Sequence, residues 1–248
     1  MFPIRDHNPS EGTPFVSLAL IAANILVYVG MWRVSDDPGA LNQVYWDYAL
    51  LPGRLLQGEG WAGLVTHMFL HGGLMHLAGN LLFLWIFGDN LEHRLGHGGF
   101  ALFYLVAGLG AAGLQILADP GSMVPMVGAS GAIAGVLGGY LLLFPRAEVD
   151  LLVIILVFFK VFTIPAWVML GIWFALQVFG GLSSGAEIGG IAYWAHTGGF
   201  LVGVIAAWPT WWALGGVGFW RRTHGHPNHP PALYPLKQSN VPLVRRRK

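Results

Sequence analysis

Gly128-Ala129-Ser130-Gly131-Ala132-Ile133-Ala134-Gly135-Val136-Leu137-Gly138-Gly139-Tyr140-Leu141-Leu142-Leu143-Phe144 contains no charged residue. Glycine recurs at 131, 135 and 139. On a helix that spacing gives one smooth stripe, along which a second backbone can approach closely. Residues 129–144 are apolar enough for a membrane span. Its one serine, Ser130, opens the run.

The rest of the chain has the same character. Of its 248 residues, 55% are hydrophobic and 10% charged, and mean hydropathy is +0.59. A soluble domain carries roughly 25% charged residues, so this chain cannot wet the surface of a globule of its size. A polytopic membrane bundle is the alternative, and six spans of ~20 residues leave little room for a second domain. Cysteine is absent, which excludes disulfides, thiolate metal sites and cysteine nucleophiles. Thirteen basic against twelve acidic residues give no support for nucleic-acid binding.

Six spans are expected, at about 14–32, 74–91, 100–117, 129–144, the part of 149–178 after Pro165, and 188–214. The first could be a signal peptide, but Met31-Trp32-Arg33 follows it where a small-residue cleavage site would stand. The 149–178 run is too long for one span and is interrupted at Asp150, Lys160 and Thr163. The part before Pro165 is expected to be interfacial or re-entrant. Residues 1–13 read as a short cytoplasmic segment, 14–214 as the membrane domain and 215–248 as a disordered cytoplasmic tail rich in proline and basic residues. With both termini inside, the inner segments hold eleven basic residues: Arg5, Arg94, Arg146, Lys160, Arg221, Arg222, Lys237 and 245–248. The outer loops hold Arg33 and Arg54. That bias orients the bundle.

A polar group in hydrocarbon must be paired or face a cavity. The informative residues are therefore His76 and Asn80 in span two with His71 just before it, Ser130 in span four and His196 in span six. Singly, each has a plain reading. Ser130 fits a small packing residue bonded to the preceding turn, and His196 a satisfied structural histidine. His76 and Asn80, four apart on one helix face, fit an inter-helix hydrogen bond. Together they lie at one depth, because spans two, four and six all start at the outer face. Span six repeats the small-residue pattern at Gly199 and Gly203. If the two stripes face each other, Ser130 and His196 meet at the outer end. A serine, a histidine and extra donors at one level are the parts of an acyl-transfer site. No span carries a carboxylate at that depth, so a Ser–His dyad fits better than a triad. No His-Glu-x-x-His zinc motif and no pair of intramembrane aspartates occurs.

These residues resemble the rhomboid family of intramembrane serine proteases. The motifs are His71-x4-His76-x3-Asn80, Gly128-x-Ser130-Gly131 and Ala195-His196-x2-Gly199-x3-Gly203, with Glu92-x-Arg94 at the inner end of span two. The resemblance implies an all-α membrane protein, a six-transmembrane-helix rhomboid-like bundle in a prokaryotic plasma membrane. It implies a serine endopeptidase with Ser130 as nucleophile and His196 as general base. His76, Asn80 and the Ser130 backbone N–H would form the oxyanion hole. Substrates would be single-pass membrane proteins; membrane lipids are the other partner, and neither a cofactor nor a metal is implied. Span five and the loop after it would gate the substrate, and the loop around Trp61, Thr66 and His67 would be an outer structural element. Some members stack a tyrosine on the catalytic histidine four residues after the nucleophile; here that place is Ala134. The family's frequent Trp-Arg reads Trp61-Ala62. An alternative is a catalytically inactive relative that binds membrane helices as adaptor or chaperone, but such relatives usually lack the serine or the histidine. A transporter would need charged residues at the membrane midplane, and the spans have none. The histidines at 224, 226 and 229 suit a solvated tail better than a metal site, and the basic residues at 245–248 suit either anionic lipid or a topology signal.

Overall fold

The computed structural model describes residues 2–10, 12–155, 158–184 and 191–227. The start of span six at Ile188, and the tail from 228 with His229, lie outside the described residues.

The chain is mostly helical, with a small sheet. Helix α1 runs Phe15–Trp32, α5 Leu74–Ala118, α6 Ser130–Leu143, α7 Ala166–Ser184 and α8 Tyr193–Ala213. Helix α5 is broken at Gly96, whose φ of 71° and ψ of 162° lie where only glycine sits without strain. The break divides α5 into 74–95 and 97–118, matching the second and third expected spans. Three described helices, α1, α5 and α7, are long and apolar enough to cross a membrane, and a fourth, α8, if it is counted with the short helix bent off its end. Helix α6, at 14 residues, is shorter than a usual span.

Helix α6 is the centre of the molecule. From Gly131 to Tyr140 every residue is buried. A Cβ on Gly199 would collide with the Gly131 carbonyl oxygen, and one on Gly203 with the Gly135 carbonyl oxygen. The two glycine stripes therefore face each other, backbone to backbone. The second half of α5 joins them: a Cβ on Gly198 would lie 2.8 Å from the Gly110 carbonyl oxygen.

Between α1 and α5 the chain forms short helices at Pro38–Tyr48 (α2), Pro52–Leu56 (α3) and Gly63–Thr66 (α4). Asp37 caps α2 by accepting from the Gly39 and Ala40 amides at 2.9 and 3.2 Å, and Pro38 takes the first position, where no amide hydrogen is needed. This loop is tied to the segment before Ser130. The Leu50 and Met126 amides and carbonyls exchange hydrogen bonds of 3.1 and 2.9 Å, and the Gly128 amide donates to the His67 carbonyl at 2.9 Å. Here Trp61 is 62% exposed, its indole donating to the Gly58 carbonyl, while His67 is buried.

The stretch before Pro165 is a correction to the expectation of an all-α chain. Residues 148–155 (β2) and 158–165 (β3) form an antiparallel hairpin, and β1 (Phe2–Asp6) adds to β2 to give the order β1-β2-β3. The register pairs Asp150 with Thr163 and Arg5. Thr163 Oγ1 and Arg5 Nε each donate to the Asp150 carboxylate at 2.6 Å. Burial raises the Asp150 pKa, but hydrogen bonds from Thr163, Arg5 and His7 outweigh it and hold the carboxyl below its usual value. Two residues that look out of place in an apolar run are thus partners across strands. Valine, isoleucine and phenylalanine dominate the hairpin, as suits a pleated surface.

Two further polar contacts hold this end, far from Ser130. The Glu92 carboxylate accepts from the Val16 amide, the Ser17 amide and the Ser17 hydroxyl, each at 2.8 Å. It thereby satisfies amides at the start of α1 that have no helical partner. Asp6 on β1 accepts from the Tyr140 hydroxyl at 2.7 Å and from Asn90 Nδ2 at 3.0 Å. Burial, helped by the nearby Asp89 charge, pushes the Asp6 carboxyl up to about 7 despite the Tyr140 hydrogen bond. Residues 217–223, expected to be part of a disordered tail, form a helix (α9), with Phe219 buried and the Trp220 indole bonded to the Leu142 carbonyl at 3.0 Å.

Candidate active site

Ser130 is the first residue of α6 and His196 lies in the first turn of α8. The facing glycine stripes set the helices close enough for these short side chains to touch. His196 Nε2 is 2.8 Å from Ser130 Oγ. The loop before Ser130 turns at Gly128, with φ of 124°. A Cβ there would sit 2.7 Å from His76 Nε2 and 3.5 Å from Ser130 Oγ. Glycine thus serves two needs, a left-handed backbone and open space between His76 and the serine.

A cavity of about 1330 Å³ contains these groups, lined by His76, Asn80 and Phe83 of α5, Ser130 and Ala134 of α6, Trp173, Gln177 and Phe179 of α7, and His196. The four residues expected at the site thus border one space. Asn80 is already engaged: its Nδ2 donates to His71 Nε2 at 2.9 Å, and the His71 and His76 rings meet edge to face with centroids 5.1 Å apart.

Sequence reasoning missed Gln177. It is 8% exposed and its Oε1 lies 2.9 Å from His196 Nδ1. The signal was present, as an amide in an otherwise apolar helix, but the partner is 19 residues further on. Trp173, one turn earlier on α7, holds its ring 5.8 Å from the imidazole, tilted by 36°. Tyr193 and Trp194 do other work, since a Cβ on Gly180 or Gly181 would strike their rings. Among the described residues, no group of three or more His, Cys, Asp or Glu could hold a metal ion.

The family model of the Rhomboid domain matches residues 58–213, a span that includes all of these groups. The chain belongs to the rhomboid family. Together with the apolar helices, this makes it a multi-pass membrane protein. This rhomboid is 31% identical over 196 residues to the mitochondrial rhomboid protein 1 of Saccharomyces cerevisiae, covering 77% of this chain and 51% of that protein. It is 35% identical over 133 residues to the rhomboid protease GluP of Bacillus subtilis, covering 53% of this chain and 25% of that one. It is also 37% identical over 84 residues to the rhomboid protease GlpG of Serratia proteamaculans, covering 34% and 28%. This rhomboid therefore spans about half the length of the yeast relative and less of the other two.

Proposed function

We propose that this rhomboid is an intramembrane serine endopeptidase that cleaves single-span membrane proteins. The contact that carries the reading is the 2.8 Å hydrogen bond between Ser130 Oγ and His196 Nε2, made inside an apolar cavity where neither group has a packing reason to be polar. Ser130 Oγ attacks the scissile carbonyl while His196 Nε2 takes its proton, and His196 then returns that proton to the leaving amine. The tetrahedral oxyanion is met by the Ser130 amide at the start of α6, by His76 and by the second N–H of Asn80. Donors held in place beforehand need no reorganisation as charge forms. A substrate helix has its carbonyls tied up internally, so its end must unwind to be attacked. Retention of both Ser130 and His196 in bonding contact favours this over an inactive helix-binding relative.

The test is incubation of the detergent-purified chain with a generic single-span substrate. Wild-type protein cleaves it and a fluorophosphonate labels Ser130. Ser130→Ala and His196→Ala each lower turnover by ~10⁶ with unchanged melting. Cleavage by Ser130→Ala at the wild-type rate would discard the mechanism.

The orientation belongs to the same proposal: both termini cytoplasmic, the Ser130 end outward, on the basic-residue bias. A bacterial plasma membrane is the proposed setting; the named relatives include a mitochondrial protein as well as bacterial ones. Because the chain has no cysteine, a single Cys placed near residue 40 should react with an impermeant maleimide in intact cells. One placed near residue 225 should react only after lysis, and the reverse pattern inverts the bundle.

A further inference from the structure

We propose that Gln177 is a positioning residue that fixes which nitrogen of His196 carries the hydrogen, keeping Nε2 free to take the proton of Ser130. The inference rests on the protease reading for its consequence, though not for its geometry. Gln177 Nε2 lies 3.2 Å from the Trp173 carbonyl oxygen and Gln177 Oε1 lies 2.9 Å from His196 Nδ1. A main-chain carbonyl can only accept. The end of the amide that faces it must therefore be the NH2, and the end that faces His196 must be the oxygen. An amide oxygen also only accepts, so Nδ1 must be the nitrogen that carries hydrogen. In a neutral imidazole the other nitrogen then holds a lone pair, and Nε2 is the atom 2.8 Å from Ser130 Oγ. A helix carbonyl, which cannot rotate, thus sets the direction of every bond up to the hydroxyl.

In serine hydrolases with a triad, a carboxylate has this place, and it orients the imidazole and selects its tautomer. A neutral amide does the same where the site is dry. Burying an ionised carboxylate in apolar surroundings is costly, and a glutamine asks for much less. The Trp173 ring beside the imidazole restrains its tilt but supplies no acceptor. Helix α7 also lines the cavity, so the group that orders the base is carried by a wall of the substrate space.

The test uses Gln177→Met, which keeps length and loses the acceptor, and Gln177→Glu, which offers an acceptor oxygen in either protonation state. Gln177→Met should lower kcat by about 10- to 100-fold with KM within about twofold. This is short of the ~10⁴ seen when a triad tautomer is forced wrong. Gln177→Glu should retain kcat within a few-fold. The second readout is the ¹⁵N spectrum of the imidazoles in the full-length protein, with the His196 signals assigned by their loss in His196→Ala. Wild type should show hydrogen on Nδ1, and Gln177→Met a mixture of tautomers. Hydrogen on Nε2 in wild type overturns the proposal, even if a variant fails to fold. Equal losses in the Met and Glu variants with lowered melting temperature also overturn it, reducing Gln177 to packing. If wild type fails to cleave, the protease reading falls while the ¹⁵N spectrum still decides the tautomer.

Discussion

Helices α6 and α8 meet through main-chain atoms, whereas α7 rests on α8 through rings. At the first contact Gly199 and Gly203 leave no space for even a Cβ against the carbonyls of Gly131 and Gly135. At the second, Phe174 stacks on Phe200 with centroids 4.4 Å apart, and Tyr193 and Trp194 lie over Gly180 and Gly181. Every residue of α6 from Gly131 to Tyr140 is buried, while Ile172, Leu176, Phe179 and Leu182 of α7 are more than half exposed. Backbone against backbone has no soft coordinate, because neither side can change rotamer. Ring against ring can slide at small cost. The Ser130–His196 distance is therefore set by the rigid pair, and only the orientation of the imidazole depends on the looser helix.

This contrast makes graded predictions. The largest effect is expected for Gly203→Leu. Four added carbons must fit where a Cβ already overlaps the Gly135 carbonyl oxygen, and overpacking of this kind costs about 1–3 kcal/mol or more. The variant should lose both its cooperative melting transition and its activity; near wild-type melting would show that α6 and α8 can separate freely. Next comes Asn80→Ala, which removes a donor from the cavity without touching either interface. Turnover should fall by ~10²–10³ with little change in KM, and stability by about 1 kcal/mol for the lost bond to His71. Reduced melting at full specific activity would return Asn80 to the role of a simple structural bond. The smallest effect belongs to Leu176→Ala on α7. Leu176 is 58% exposed, so its loss leaves little cavity, and melting should shift by only a degree or two. A large drop would mean that α7 is held as tightly as α6.

Much of the membrane architecture was legible beforehand. Long apolar runs bounded by polar loops follow from the cost of an unpaired backbone in lipid, and the observed helices begin and end within a few residues of most expected spans. The all-α expectation failed before Pro165. An apolar stretch of that length has no periodicity that separates strand from interfacial helix. What decides for a hairpin is the pairing of Asp150 with Thr163 and Arg5, partners distant in sequence. Glu92 was marked by its motif, yet its use as the cap of α1 depends on two amides 75 residues or more away.

At the site the division is similar. The sequence by itself determined that Ser130, His196, His76 and Asn80 would each lie near the start of its helix, because position along a helix is counted in residues from its end. It also determined which helix faces are smooth, because glycine spacing is local. Only the tertiary structure decided that the two smooth faces meet, that Asn80 bonds to His71, and that Gln177 closes the series from the Trp173 carbonyl to Ser130. Those are contacts across helices, fixed by rotation of each helix about its axis, and such rotation is settled by packing rather than by any stretch of sequence read alone.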